Sequence, residues 1–209
     1  MADLADDPFE VTVSSSERVF TGRVWDIRRD TFDYGAGSIS REYVDHTGAV
    51  AVLALDDAGR VLLIKQYRHP IGKRDWEIPA GLLDISGEPP LVGAKRELGE
   101  EVDLAAATWH LLADFATSPG GSNELLRVYL ARDLTPTERP YERSEEEVDI
   151  EKRWVDLDDA VAAVLERTVS NAILSLALLA AQASRANGWA NLGDADAPWP
   201  RQPGRRDRD

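Results

Sequence analysis

The order of elements readable in the sequence predicts an α/β protein, a sandwich built on a mixed sheet. Three observations carry this. Strand-like segments precede and follow one short amphipathic helix near the middle, a turn joins two apolar runs upstream of it, and helical patterns close the chain. Strands and helices therefore come in blocks rather than in the regular alternation of a doubly wound sheet.

Residues 9–34 (FEVTVSSSERVFTGRVWDIRRDTFDY) mix β-branched and aromatic residues with polar ones at short spacing, which predicts two or three strands, and 41–44 and 49–55 continue the pattern. The turn DDAG at 56–59, between AVAVLAL and RVLLIKQYR, predicts a β-hairpin over 49–68. After Pro79, Ala80 and Gly81 the period changes. Glu88, Pro89 and Pro90 open a helix in which Leu91, Ala94, Leu98 and Val102 share one face. Strands are expected at 110–115, 125–130 and 153–157, with an acidic stretch between the last two. An Asp-capped helix then follows residues 155–159, and a second apolar-striped helix covers about 170–186. These elements divide the chain into an N-terminal strand region at 1–48, a main domain at 49–187 and a tail at 188–209. The tail (GDADAPWPRQPGRRDRD) is rich in Pro, Gly and charge, so disorder is expected there.

Composition narrows the function classes. Of 209 residues, 24 are Lys or Arg and 38 are Asp or Glu, a net charge of −14, with 43% hydrophobic and 30% charged residues. A chain of this size forms a core without disulfides or structural zinc. It has no Cys, which excludes thiol nucleophiles and Cys-based metal sites, and His46, His69 and His110 show no zinc-ligand spacing. The acidic balance, with a pI near 4.6, opposes non-specific nucleic-acid binding. The N-terminus MADLADDPFE reads as no secretory signal, and the apolar run 172–183 is too short to span a bilayer, so no membrane partner and a cytoplasmic location are expected. The tail arginines Arg201, Arg205, Arg206 and Arg208 are expected to be solvated.

The chemistry concentrates on the central helix. Glu97 and Glu101 fall four residues apart on one face with Glu100 beside them. Like charges at that spacing destabilise an isolated helix by a few tenths of a kcal/mol, and a divalent cation reverses the sign. Hard oxygen ligands of this kind suit Mg²⁺ or Mn²⁺. A solvated acidic face is the ordinary use of such a run, so the cluster alone does not decide.

The wider spacing decides. Gly81, Glu88, the triplet Arg96, Glu97 and Leu98, then Glu100, Glu101 and Leu104 closely resemble the box of the Nudix hydrolase family. Six residues rather than five separate Gly81 from Glu88, and Asp103 stands where the family has Gly. Gln66-Tyr67-Arg68, Trp76-Glu77-Ile78-Pro79-Ala80-Gly81 and Ser118-Pro119-Gly120, with Pro119 fifteen residues after Leu104, resemble the family's ADP-ribose pyrophosphatase branch. The resemblance implies a Nudix fold, a mixed-sheet α/β/α sandwich with an N-terminal antiparallel strand extension, and a homodimer formed through those strands.

It also implies residue roles. Glu97, Glu100 and Glu101, with the Ala80 carbonyl and Glu88, match metal ligands or their supplements. Arg96 would hold the carboxylates in place, as metal sites require. Arg41 and Arg68 match arginines that bind the diphosphate, as a guanidinium fork suits, the alternative for each being a surface or strand-edge ion pair. The catalytic base would come from the acidic segment PYERSEEEVDIE, which offers Glu142, Glu145, Glu146, Glu147, Asp149 and Glu151; Glu142 and Glu146 are favoured. Trp25 is a candidate to stack on adenine, or equally a core aromatic. The implied reaction is metal-dependent hydrolysis of ADP-ribose to AMP and ribose 5-phosphate, with loop carboxylate and bound water in the usual base and nucleophile roles. The rivals are a Nudix hydrolase of other nucleoside diphosphate sugars or nucleotides, and a non-catalytic ADP-ribose sensor, which would be expected to have lost box carboxylates.

Overall fold

A computed structural model of the chain describes residues 4–141, 143 and 148–199. Contacts divide it into two compact units: residues 1–46 with 118–124, and residues 47–117 with 125–209.

The first unit is a three-stranded antiparallel sheet of β1 (Val13–Phe20), β2 (Asp26–Tyr34) and β3 (Gly37–Asp45). The alternating composition of 9–34 resolves into two strands, and β3 extends the segment expected at 41–44. The sheet leaves Val13, Val19, Phe20 and Tyr34 exposed.

The second unit is built on β4 (Ala49–Ala54), β5 (Arg60–Arg68), β6 (Lys73–Glu77), β7 (Ala80–Leu82), β8 (Leu104–Ala116), β9 (Leu125–Pro136), β10 (Glu151–Asp156) and β11 (Gly193–Asp194). Its helices are α1 (Pro90–Val102), α2 (Leu157–Leu165) and α3 (Ala172–Ala186). The strands form one sheet in the order β11-β8-β9-β4-β7 and another in the order β10-β5-β6. Parallel pairing of β4 with β9, beside antiparallel pairs, makes the first of these mixed.

Strand pleating creates the layers. Side chains alternate across a strand, so Ala49, Ala51 and Leu53 of β4 join one core with Leu157, Val161, Leu174 and Leu178 of α2 and α3. Val50, Val52 and Ala54 join a second core with Ala94, Leu98 and Val102 of α1. β5 divides likewise, with Val61 and Leu63 on one side and Leu62 and Ile64 on the other. A continuous apolar run of this kind is what a strand buried on both faces needs, and it yields the α/β/α sandwich.

That same burial corrects the hairpin expected over 49–68. Both strands are present, but β4 and β5 lie in different sheets, and between these two runs the backbone pairing among the described residues is the isolated bridge between Leu55 and Val61. β4 gives its hydrogen bonds to β7 and β9, β5 to β6 and β10. Asp156 stands at the start of α2 but makes no side-chain cap, whereas Asn171 caps α3 by accepting from the Leu174 amide at 3.0 Å.

Residues 188–199 are a second correction, for they carry structure where composition suggested disorder. β11 pairs with β8, and Trp199 packs on the α1-side core. Arg127, 2% exposed, explains the attachment. Its guanidinium makes a fork to Asp114 at 2.8 Å on both arms, donates to the carbonyls of Ala197 at 2.7 Å and Pro198 at 3.3 Å, and lies 4.8 Å from the Trp199 ring centre. Residues 200–209, including the tail arginines, lie outside the described residues.

Breaking this fork tests the attachment. Asp114→Ala leaves a buried guanidinium short of its carboxylate and is expected to cost about 3 kcal/mol in chemical denaturation, the low end for such pairs because Asp114 is partly exposed. Amide exchange over 193–199 should rise with it.

Candidate active site

α1 presents two adjoining stripes to the interior. Ala94, Leu98 and Val102 make the apolar one, and Gly93, Glu97 and Glu101 lie beside it, all buried. Four-residue spacing stacks each set along the axis, so burying the apolar stripe carries Glu97 and Glu101 inward with it. Arg96 and Glu100 occupy the next row toward solvent.

β7 closes over the carboxylates. The Ala80 amide donates to Glu101 Oε2 at 2.9 Å. A Cβ on Gly81 would stand 2.0 Å from Glu97 Cδ, so only glycine admits the Glu97 carboxylate there. The extra residue between Gly81 and Glu88 therefore leaves β7 against the helix. Gly93 is similarly tight, its Cβ position 3.0 Å from Glu88 Oε2.

Arg96 gathers the remaining carboxylates. It donates to both oxygens of Glu88 at 3.2 and 3.1 Å, to Glu97 Oε1 at 2.6 Å and to Glu100 Oε2 at 2.9 Å. Its guanidinium is held charged well above the ordinary arginine range, by the Glu88 hydrogen bonds first and against the opposing effect of burial. Arg96 thus bonds three of the box acids directly. Four carboxylates, Glu88, Glu97, Glu100 and Glu101, stand in this region with one guanidinium among them, and burial makes such a surplus of negative charge costly. Among the described residues no three carboxylates meet around a common point that would hold an ion as they stand. The donor set nevertheless has the chemistry of a hard-cation site, all oxygen and mostly carboxylate.

α1 ends at Asp103, whose φ of 61° is left-handed. Its amide donates to the carbonyls of Leu98 and Gly99. Asp tolerates this conformation better than most residues, so the helix stops where glycine would have stopped it. Partial burial pushes its carboxyl up, but hydrogen bonds from Lys152, the Tyr141 amide and Arg143 outweigh it and hold the pKa down at about 2.

Arg68 of β5 pairs with a buried acid on β6. Its guanidinium makes a fork to Glu77 at 2.8 and 2.7 Å, and Gln66 adds a bond to the same carboxylate at 3.2 Å. Glu77 is 5% exposed and was not singled out in the sequence; an acid inside the apolar stretch WEIPAG was the available signal. Gly81 and Asp103 were noticed as motif positions, but their packing was not legible.

Trp25, Arg41 and Pro119 belong to the first unit, and the four carboxylates to the second. Trp25 is 44% exposed and stacks on His46 with ring centres 5.6 Å apart, so it is not a core aromatic. Burial pushes the His46 imidazole down, against the upward pull of Glu124. Arg41 is exposed on β3 and donates to the Ser40 carbonyl at 2.8 Å. Pro119 lies in the turn closed by the Gly121 amide on the Ser118 carbonyl. That turn is fastened to the end of β3: Gly121 accepts from the Val44 amide at 3.0 Å, and Asn123 bonds the His46 amide at 2.7 Å and Asp45 at 2.8 Å. The three candidates are thus tied to one strand end. Glu142 and Glu146 lie outside the described residues, as do Glu145 and Glu147. Glu151 enters β10 opposite Lys65 and pairs with Arg153. A cavity of about 260 Å³ lined by Leu63, Trp76, Arg153, Val155 and Leu178 lies on the α2 and α3 side and contains none of the candidates.

With this geometry in place, likeness to known proteins is informative. Residues 45–176 match the NUDIX domain family. The chain belongs to the Nudix family. Among Nudix relatives, it is 44% identical to the ADP-ribose pyrophosphatase of Mycobacterium tuberculosis, over 94% of this chain and 93% of that protein. It is 39% identical to the ADP-ribose pyrophosphatase of Bacillus subtilis, over 78% of this chain and 88% of that protein. A crystal structure of an ADP compounds hydrolase superposes with a TM-score of 0.72 at 20% identity, covering 88% of this chain and 99% of that one, which shows the shared Nudix fold. The sandwich read from element order is the fold of that family.

The Gly81 contact provides a direct test. Gly81→Ala should leave thermal stability within a few degrees, because β7 is short and at a sheet edge, yet lower kcat about 100-fold by displacing Glu97. Steady-state kinetics beside a thermal melt will show both.

Proposed function

We propose that the protein is an ADP-ribose diphosphatase, hydrolysing the diphosphate bond of ADP-ribose with water to AMP and ribose 5-phosphate. The observation that carries this is the buried pair Glu97 and Glu101, held against β7 by Gly81 and the Ala80 amide, in a chain whose relatives from Mycobacterium tuberculosis and Bacillus subtilis are named ADP-ribose pyrophosphatase. A retained set of box carboxylates opposes the non-catalytic sensor.

Mg²⁺ or Mn²⁺ bound by Glu97, Glu100 and Glu101, with the Ala80 carbonyl and Glu88, would neutralise diphosphate charge and lower the pKa of a bound water. Arg96 offsets the mutual repulsion of the carboxylates it bonds. Glu142 or Glu146, from the acidic segment, would accept the water proton. Arg41 would bind the diphosphate and Trp25 would stack on the purine, with Pro119 shaping the same strand end. Arg68 would act on the diphosphate only through nitrogen not engaged with Glu77.

The protein is also expected to be a homodimer in the cytoplasm. Support for the dimer comes from the first unit, which leaves the large apolar side chains Phe9, Phe20, Val24, Trp25 and Tyr34 exposed. No helix among the described residues is long and apolar enough to cross a membrane.

The deciding experiment is product analysis with ADP-ribose and Mg²⁺ or Mn²⁺, beside ADP-glucose, NADH and a diadenosine polyphosphate. Chelator-sensitive AMP formed preferentially from ADP-ribose is expected; equal turnover of the others would leave a broader Nudix hydrolase. Glu97→Gln and Glu101→Gln should each lower kcat by at least about 100-fold while remaining folded, and near-normal rates in both would overturn the metal assignment.

A further inference from the structure

Asp103 carries more bonds than ending a helix requires. Glycine takes the left-handed conformation at lower cost, so the turn by itself gives no reason for an acid there. The carboxylate instead collects donors from two places far along the chain. Oδ1 accepts from the Tyr141 amide at 2.9 Å, and Oδ2 accepts from Arg143 at 2.5 Å and Lys152 Nζ at 2.8 Å. Arg143 donates again, from Nε to the Glu101 carbonyl at 3.1 Å. The Asp103 carbonyl takes the Thr137 amide at 3.0 Å, and the Tyr141 ring comes so close to α1 that a Cβ on Gly99 would meet it at 3.2 Å. Tyr141 and Arg143 precede residues 144–147, and Lys152 follows them. All three are thereby fastened to the turn of α1 that bears Glu100 and Glu101.

We propose that Asp103 is a positioning residue for hydrolysis: it fastens Tyr141, Arg143 and Lys152, which flank the acidic segment, to the end of α1 that bears Glu100 and Glu101. The inference rests on the reading that this segment supplies the base. It assigns to the residue at the motif's glycine position a task that glycine lacks the atoms to perform. Two ion pairs and an amide bond converge on one carboxylate that is only about one-quarter exposed, so screening by water is limited.

Asp103→Gly separates this from a capping role, because glycine preserves the turn and removes the carboxylate. Expected are a fall in kcat of about tenfold or more, KM for ADP-ribose within about threefold, and an unchanged thermal shift on adding Mg²⁺ or Mn²⁺. Asp103→Asn keeps the turn and can still accept the Tyr141 amide, so it should recover part of the loss. Arg143→Met should lower kcat in the same way, and its effect should not add to that of Asp103→Gly. Glu142→Gln, Glu145→Gln, Glu146→Gln and Glu147→Gln are measured alongside. If one of them is inactive while Asp103→Gly turns over normally, the positioning role fails and the segment's role stands. If all four remain active, the base is elsewhere and the proposal falls with that reading. Loss of the metal-induced shift in both Asp103 variants would assign Asp103 to the integrity of α1 and overturn the proposal.

Discussion

Glu97 occupies the space that any side chain at position 81 would need. That close approach of β7 to α1 is the constraint on which the active region depends, because it brings a strand edge and a row of carboxylates within hydrogen-bond reach. Acids on an amphipathic helix normally face water. Here Glu97 and Glu101 flank the apolar stripe closely enough to be buried with it, and each then needs a compensating partner. Ala80 provides an amide for one and Arg96 a guanidinium for the other, which leaves Arg96 holding three carboxylates at once. A helix so loaded with negative charge has the donor chemistry of a hard-cation site.

The sheet supplies the rigidity behind this arrangement. β4 and β5 are apolar on both faces, so a single run of residues supports α1 on one side and α2 with α3 on the other. A shift of either strand by one residue would exchange its two faces between the two cores. The C-terminal stretch adds an outer layer through a different device: Arg127 is buried among the Asp114 carboxylate of β8 and the carbonyls and indole of Ala197, Pro198 and Trp199, and these last three are residues that composition alone assigns to a tail.

Much of the site was legible because it is local. Glu97, Glu100, Glu101 and Arg96 lie within two helical turns, where spacing translates directly into geometry, and the apolar stripe that orients them is written in the same stretch. Glu77 was harder to read, since its partner Arg68 is reached across paired strands and only its place inside WEIPAG marks it. The hairpin at 49–68 shows the same limit from the other direction: the turn and both strands were correct, yet their pairing was decided by which neighbours could cover two apolar faces. Arg68 illustrates it for function, because a motif position names a residue type without saying whether a buried acid has already engaged it.

The sequence by itself determined the element types, the order that makes a sandwich, and the row of acids with the spacing of a metal-dependent hydrolase, all properties of residues close together along the chain. Only the tertiary structure decided that β4 and β5 part company, that Gly81 must be bare for Glu97, that residues 193–199 bind back onto β8 and Arg127, and that Asp103 collects Tyr141, Arg143 and Lys152. Each of these joins residues distant in sequence, and such pairings are selected by burial and hydrogen-bond satisfaction across the whole fold, for which no local pattern contains the information.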